Sequence, residues 1–300
     1  MGSKFLKMQV TAPHGGVAPR AMNSATSAAD SPVLAVSDLV VDAKNSRGQS
    51  ELLHGVSLSV GAGTMHGLVG ETGSGKSITA SALMGLLPKG VSVASGSVSL
   101  NGRELLGLSA REMHDLRGPA FGMIFQNPRT ALHPMYSVGA QMAAVVDAHM
   151  KLSRAERRER IYHYLRLTGI PDATRIAGSF PHELSGGLAQ RAVIATSLIC
   201  DPTFLIADEP TTGLDATVQR QILELLARLQ DELGLSVLMI THDLSIVAQY
   251  CATVSVMRLG GVVEEGTARQ VLGSPSAVYT QSLLRASRLE YVTQRERASA

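Results

Sequence analysis

The chain has 300 residues, 45% hydrophobic and 17% charged, a balance that excludes a disordered protein and supplies the apolar surface for a sizeable core. The 27 Lys and Arg against 25 Asp and Glu leave a net charge of +2, too small a surplus for a nucleic-acid footprint. No apolar run reaches the roughly 20 residues of a membrane-spanning helix, and the two cysteines, Cys200 and Cys251, lack metal-ligand spacing and read as buried thiols.

Residues 1–31 hold clusters of Gly, Ser, Ala and Pro with no period of 2 or 3.6, which predicts a disordered leader. They also lack the apolar core of a secretory signal, so the chain is expected in the cytosol. From Pro32 the β-branched runs Val33–Val36 and Leu39–Val41 predict a first strand, followed by a loop at Lys44–Ser50. Val56–Val60 alternates apolar with Ser and stops at Gly61-Ala62-Gly63, and Val93–Leu100 alternates again before the hairpin pair Asn101-Gly102. An antiparallel β region is therefore expected around the motif that interrupts it.

That motif is Gly70-Glu71-Thr72-Gly73-Ser74-Gly75-Lys76-Ser77, which follows the apolar strand Met65–Val69 and precedes a predicted helix from Ile78 to Leu87. Its glycines let backbone N–H groups curl round a phosphate while the helix N-terminus adds partial positive charge. Lys76 would reach the terminal phosphates, and the Ser77 hydroxyl would face Mg²⁺.

Ser153 and Glu156 form a capping box that opens a helix to Gly169, with Ile161, Tyr164 and Leu165 on its apolar stripe. Its Arg154, Arg157, Arg158 and Arg160 are interleaved with Glu156 and Glu159 and read as a solvated face. Leu184-Ser185-Gly186-Gly187 then opens a helix from Leu188 to Ile199, a second helix N-terminus open to an anion. The apolar strand Phe204–Ala207 ends on Asp208-Glu209, two carboxylates suited to a division of labour. Asp208 would hold Mg²⁺ through water and Glu209 would act as general base on the attacking water. Ala216–Leu233 carries Val218, Ile222, Leu225, Leu226, Leu229 and Leu233 at helical spacing and stops at Gly234. A further strand, Ser236–Ile240, precedes Thr241-His242-Asp243.

In this order the motifs resemble those of the ATP-binding-cassette (ABC) ATPases: Walker A at 70–77, the signature at 184–187 and Walker B at 204–209. The resemblance implies an α/β fold, a P-loop NTPase cassette with a mixed-sheet RecA-like core, an antiparallel β subdomain and a helical subdomain at about 127–190. The cassette would span 32–286, leaving 287–300 as a short polar tail. ATP would lie on Gly70, Glu71, Thr72, Gly73, Ser74, Gly75, Lys76, Ser77 and Ile78, and on Ser185, Gly186, Gly187 and the D-loop Asp215. Mg²⁺ would be held by Ser77, Asp208 and the Q-loop Gln126, with Glu209, His242, Gln126 and Lys76 as the catalytic set. One signature per chain implies a second cassette, identical or paralogous, closing on two ATP molecules.

Four further strings, Gln126–Pro134, Pro181–Leu184, Ala207–Gln219 and Val278–Leu284, resemble the oligopeptide, dipeptide and nickel importer branch. That likeness implies a subunit on the cytoplasmic face of the inner membrane, energising permease subunits fed by an extracytoplasmic solute-binding protein. An accessory ATPase of a soluble, phosphonate-degrading enzyme complex resembles the same branch. The chain also departs from the pattern. Ala43 stands where an aromatic ring would stack on adenine, with His54 or a partner residue as candidate substitutes, and Leu188-Ala189 replaces a polar or basic pair after the signature. No Cys follows Cys251, so no iron–sulfur cluster is expected.

Overall fold

The computed structural model describes residues 32–45 and 48–287; the leader expected at 1–31 and residues 288–300 of the expected tail lie outside the described residues. Strands β1 (Leu34–Asn45) and β2 (Gly48–Val60) pair antiparallel, β3 (Met65–Val69) leaves for a second sheet, and β4 (Val91–Leu100) and β5 (Arg103–Glu104) return. The result is a four-stranded antiparallel sheet in the order β2-β1-β4-β5. Asn101 and Gly102 join β4 to β5 with φ of 51° and 76°, the two positive values a type I′ turn requires. Of the loop expected at Lys44–Ser50, residues 44–45 and 48–50 are instead strand, because β1 and β2 continue their register to Asn45 and Gly48.

The second sheet is mixed. β6 (Phe121–Ile124), β7 (Phe204–Asp208), β8 (Ser236–Thr241), β9 (Thr253–Arg258) and β10 (Gly261–Thr267) join β3 in the order β10-β9-β3-β8-β7-β6, parallel except for β10. Parallel strands are buried on both faces, and β8 illustrates the consequence. Its Leu238 and Ile240 join a core with Leu39, Val56 and Val98 of the antiparallel sheet. Val237 and Met239, pointing the other way, join a second core with Met142, Ile194 and Leu226 from the helices.

Those helices are α1 (Lys76–Leu83), α2 (Ala110–Leu116), α3 (Pro128–Ala131), α4 (Val138–His149), α5 (Arg154–Leu167), α6 (Ala173–Gly178), α7 (Gly186–Leu198), α8 (Ala216–Leu233), α9 (Leu244–Tyr250) and α10 (Ala268–Gly273), with residues 278–287 again helical. Helix α1 stops four residues short of the expected Leu87, because Gly85 turns left-handed at φ 60° and the Leu86 N–H bonds back to the Ser81 carbonyl at 2.8 Å; the Arg117 guanidinium then takes the carbonyls of Met84 and Gly85 at 2.9 and 3.0 Å. On α8 the stripe is corrected at one end: Leu233 is 45% exposed, and Leu223 is buried instead. On α5 Arg160 leaves the solvated face, bonding the Ile199 carbonyl at 2.6 Å and Asp201 at 2.5 Å, so it ties α5 to the end of α7.

The parallel arrangement places the site. Strands β3, β6, β7 and β8 run the same way, so their carboxyl ends share one edge, the position where open α/β sheets bind ligands. The residues that leave those ends are Gly70, Phe125-Gln126, Glu209 and His242.

Candidate active site

The loop from Gly70 to Gly75 wraps the start of α1. Gly70 has φ 157°, and a Cβ there would lie 2.2 Å from the Met257 carbonyl oxygen, so β9 approaches too closely for any other residue. Lys76 is 5% exposed, and its ammonium donates to the carbonyls of Gly70 and Glu71 at 2.7 and 2.9 Å and to Ser74 Oγ at 3.4 Å. Burial lowers its pKa, and the charges of Glu209, Asp208 and Glu71 oppose that shift. The lysine is therefore a partly desolvated cation whose present partners are neutral oxygens, ready to be exchanged for an anion.

Across the cleft, Ser77 Oγ lies 3.5 Å from Asp208 Oδ1. Burial raises the Asp208 pKa; the Ser77 bond and Lys76 work against that, and the Glu209 charge adds to it. Glu209, the next residue, turns out of the strand with φ 44°, a left-handed conformation costing on the order of 1–3 kcal/mol, and its N–H is held by the Ile240 carbonyl at 2.9 Å. The turn aims the carboxylate into the cleft. Oε2 accepts from Gln126 Nε2 at 2.8 Å and from Thr212 Oγ1 at 2.9 Å, and Oε1 meets His242 Nδ1 at 3.0 Å. Burial pushes the Glu209 carboxyl up, but the bonds from His242, Thr212 and Gln126 outweigh it and hold it below its ordinary value. Glu209 is thus an ionised, oriented carboxylate at neutral pH.

A cleft of about 380 Å³ joins these groups, lined by Leu52, Thr72, Gly73, Gly75, Lys76, Ser77, Ile78, Gln126, Glu209 and His242. Ser77 Oγ and the Asp208 carboxylate, 3.5 Å apart, and Gln126 Oε1, whose amide nitrogen is committed to Glu209, are oxygen donors of the kind that fits a hard divalent cation.

Ser185, Gly186, Gly187 and Asp215 are not among the lining residues. Ser185 caps α7, accepting from Leu188 N–H at 3.4 Å, and Asp215 caps α8, accepting from Thr217 and Val218 at 3.1 and 3.0 Å. The two caps adjoin: a Cβ on Gly187 would lie 2.9 Å from Val218 Cγ1, and one on Gly186 3.1 Å from Leu214 Cδ2. The cleft that holds Lys76 and the adjoining caps of α7 and α8 are therefore separate features of the chain. Ala43 sits on β1 opposite Ser50 and Val91, and His54 bonds Glu51 at 2.8 Å; neither lines the cleft, where Leu52 does. Thr212, which completes the shell of Glu209, was missed in the sequence; its only signal is its place three residues on, within the turn that follows.

These features define a nucleotide-binding cassette of the P-loop type. Residues 53–212 match the family model described as ABC transporter, and the chain belongs to that family. It is 45% identical over 253 residues to a probable peptide ABC transporter ATP-binding protein of Sinorhizobium fredii, covering 84% of this chain and 76% of that one. The dipeptide transport ATP-binding protein DppD of Bacillus subtilis is 43% identical, with 84% and 76% covered. The oligopeptide transport ATP-binding protein OppD of the same organism is 42% identical, with 84% and 71% covered. Among solved structures, a dimeric ATP-binding cassette in a post-hydrolysis state, bound to ADP and Pi, superposes with a TM-score of 0.70 at 26% identity, covering 79% of this chain and 99% of that one. A cassette from Clostridium perfringens, part of an ABC transporter complex, gives 0.69 at 30% identity, with 88% and 99% covered. The expected fold, with its mixed-sheet core and antiparallel β region, and the expected family are both met.

Proposed function

We propose that this chain is the ATP-hydrolysing subunit of a peptide importer, acting from the cytoplasmic face of the membrane on separate permease subunits. The observation that carries the chemistry is the Glu209 carboxylate, fixed by Gln126, Thr212 and His242 at the mouth of the cleft that holds Lys76. The loop N–H groups from Thr72 to Ile78 and the Lys76 ammonium bind the phosphates of ATP. Ser77, Asp208 and Gln126 would hold Mg²⁺, which when bound neutralises charge on the phosphate oxygens. Glu209 takes a proton from the attacking water and His242 orients that water with the terminal phosphoryl group, in-line geometry supplying much of the rate.

The separation of Ser185, Gly186, Gly187 and Asp215 from the cleft supports a second cassette as partner: each chain's signature closes the other chain's phosphate loop. Residues 32–286 act as one cassette, with the helical region at about 127–190 carrying the signature. Phe125, the neighbour of Gln126, is exposed by 44%, and Met135 and Tyr136, in the segment between α3 and α4, by 74% and 56%. They suit a permease helix, whose position Gln126 would report to Glu209 through their shared hydrogen bond. Among the described residues no helix is long and apolar enough to cross a membrane, which fits a separate permease. Peptides as cargo, delivered by an extracytoplasmic solute-binding protein, follow from the peptide-transport names of the relatives.

The experiment is affinity capture of this chain from detergent-solubilised membranes, with partners identified by mass spectrometry and ATPase activity assayed in the same fraction. Recovery with integral permease subunits supports the importer. Recovery only with soluble enzymes would overturn the transport reading and leave the ATPase intact.

A further inference from the structure

Lys76 is positioned by two carbonyls, and one of them, that of Glu71, belongs to a residue whose N–H is also committed. The Glu71 N–H donates to Tyr279 Oη at 3.2 Å, a contact between residues 208 apart in sequence. Tyr279 is 9% exposed, and the Arg258 guanidinium lies over its ring, 4.8 Å from the centroid. Arg258 ends β9, the strand whose Met257 carbonyl crowds Gly70, and Gly260 N–H just beyond donates to the Ser74 carbonyl at 2.9 Å. The outer wall of the phosphate loop is thus built from the β9–β10 turn and one tyrosine.

The segment that carries Tyr279 is itself pinned. The Glu264 carboxylate on β10 accepts from Ser276 N–H at 2.7 Å, Ser276 Oγ at 2.8 Å and Ala277 N–H at 3.2 Å. Gln281 Nε2 donates to the Pro275 carbonyl at 3.1 Å, and Leu283 and Leu284 pack against the helical core. A chain of contacts therefore runs from β10 through residues 276–277 to Tyr279, and across one peptide unit to the lysine.

We propose that Tyr279 is a positioning residue for the nucleotide site: its hydroxyl holds the Glu71 backbone from outside the loop, so that the loop meets the phosphates already ordered. This rests on the reading of residues 70–77 as the phosphate loop. Without the hydroxyl, the Glu71 N–H has no partner in the wall and the ordering must occur on binding, which weakens affinity without touching the reacting groups. Tyr279 is not a catalytic residue; it acts through Glu71 and Lys76.

The test compares the full chain with Tyr279→Phe, Glu264→Gln, Lys76→Ala and, as a control on α5, Tyr162→Phe. In nucleotide-free protein, amide hydrogen exchange across residues 71–76 is expected to accelerate in Tyr279→Phe and, to a smaller degree, in Glu264→Gln, while Tyr162→Phe matches the wild type. The ADP dissociation constant and the KM for ATP are expected to rise about three- to tenfold in Tyr279→Phe, the equilibrium consequence of one lost hydrogen bond, with kcat changed by less than about twofold. Unchanged exchange and unchanged ADP affinity in Tyr279→Phe would overturn the proposal. If Tyr279→Phe fails to fold, Glu264→Gln carries the same two readouts, and wild-type behaviour there overturns it equally. Lys76→Ala separates the two levels: nucleotide binding retained in that variant would overturn the phosphate-loop reading itself.

Discussion

His242 Nδ1 lies 3.0 Å from Glu209 Oε1, so the residue that leaves β8 touches the residue that leaves β7. Adjacent parallel strands bring the two together without any contact between them in sequence. His242 is 63% exposed at its side chain and Glu209 only 15%, so the histidine is the member free to follow a nucleotide while the carboxylate stays fixed.

Glu209→Gln keeps the shape and can keep the one bond at Oε1, with His242, but removes the base. ATP turnover is expected to fall by about 10²–10⁴-fold while ATP binding persists, and an ATP-bound dimer should accumulate on size-exclusion chromatography. Wild-type turnover in this variant would remove Glu209 from its role.

Lys76→Ala removes a buried cation that has three oxygen partners. Nucleotide affinity measured by equilibrium binding is expected to drop by roughly ten- to a hundredfold, the effect of losing a charge-assisted contact.

Thr212→Val deletes one of the bonds that hold the Glu209 carboxyl below its ordinary pKa. A depressed carboxyl stays ionised as pH falls, so loss of a supporting bond moves its titration upward. The acid limb of the kcat profile should therefore shift to higher pH in Thr212→Val, with less change at alkaline pH. An unshifted acid limb would mean that Thr212 does not govern the base.

Leu52 and Ile78 line the cleft and Ala43 does not, so a bound purine is expected to gain no stacking face from the described residues of one chain, a contribution of about 1 kcal/mol elsewhere. ATP and GTP should be hydrolysed with specificity constants within roughly tenfold of each other. Strong ATP preference, unchanged in His54→Ala, would contradict this.

His66 tests the core. Its ring is buried between strands, Nδ1 beside Thr253 Oγ1 at 2.8 Å and Nε2 beside Ser255 Oγ at 2.9 Å, and burial lowers its pKa from 6.5 to about 4. The unfolded state binds the proton more readily between those values. Stability from the neutral ring is therefore complete above about pH 6.5 and lost as pH falls toward 4, by on the order of 3 kcal/mol in all. Urea melts should show a shallower acid-side loss for His66→Gln than for the wild type.

Much of the site could be read from the chain because it lies at strand ends, where short apolar runs hand over to Gly70, Asp208-Glu209 and His242. The periodicity of β8 and the caps of α7 and α8 are local and equally readable. Thr212, Arg160 and Tyr279 were not. Each acts through a contact set by tertiary packing, and Tyr279 meets Glu71 only because β9 and β10 fold the end of the chain back beside the phosphate loop. Leu233 fits the stripe of α8 by spacing but stands past the edge of the core it was expected to join.

The most direct test mixes two inactive variants. Lys76→Ala retains an intact signature, and Ser185→Arg retains an intact phosphate loop; each alone should hydrolyse ATP poorly. If loop and signature act across two copies of this chain, half the dimers in an equimolar mixture are mixed and each regains one site, so ATPase should recover to about a quarter of the wild-type rate. A mixture no more active than its separate components would contradict a site shared between two copies.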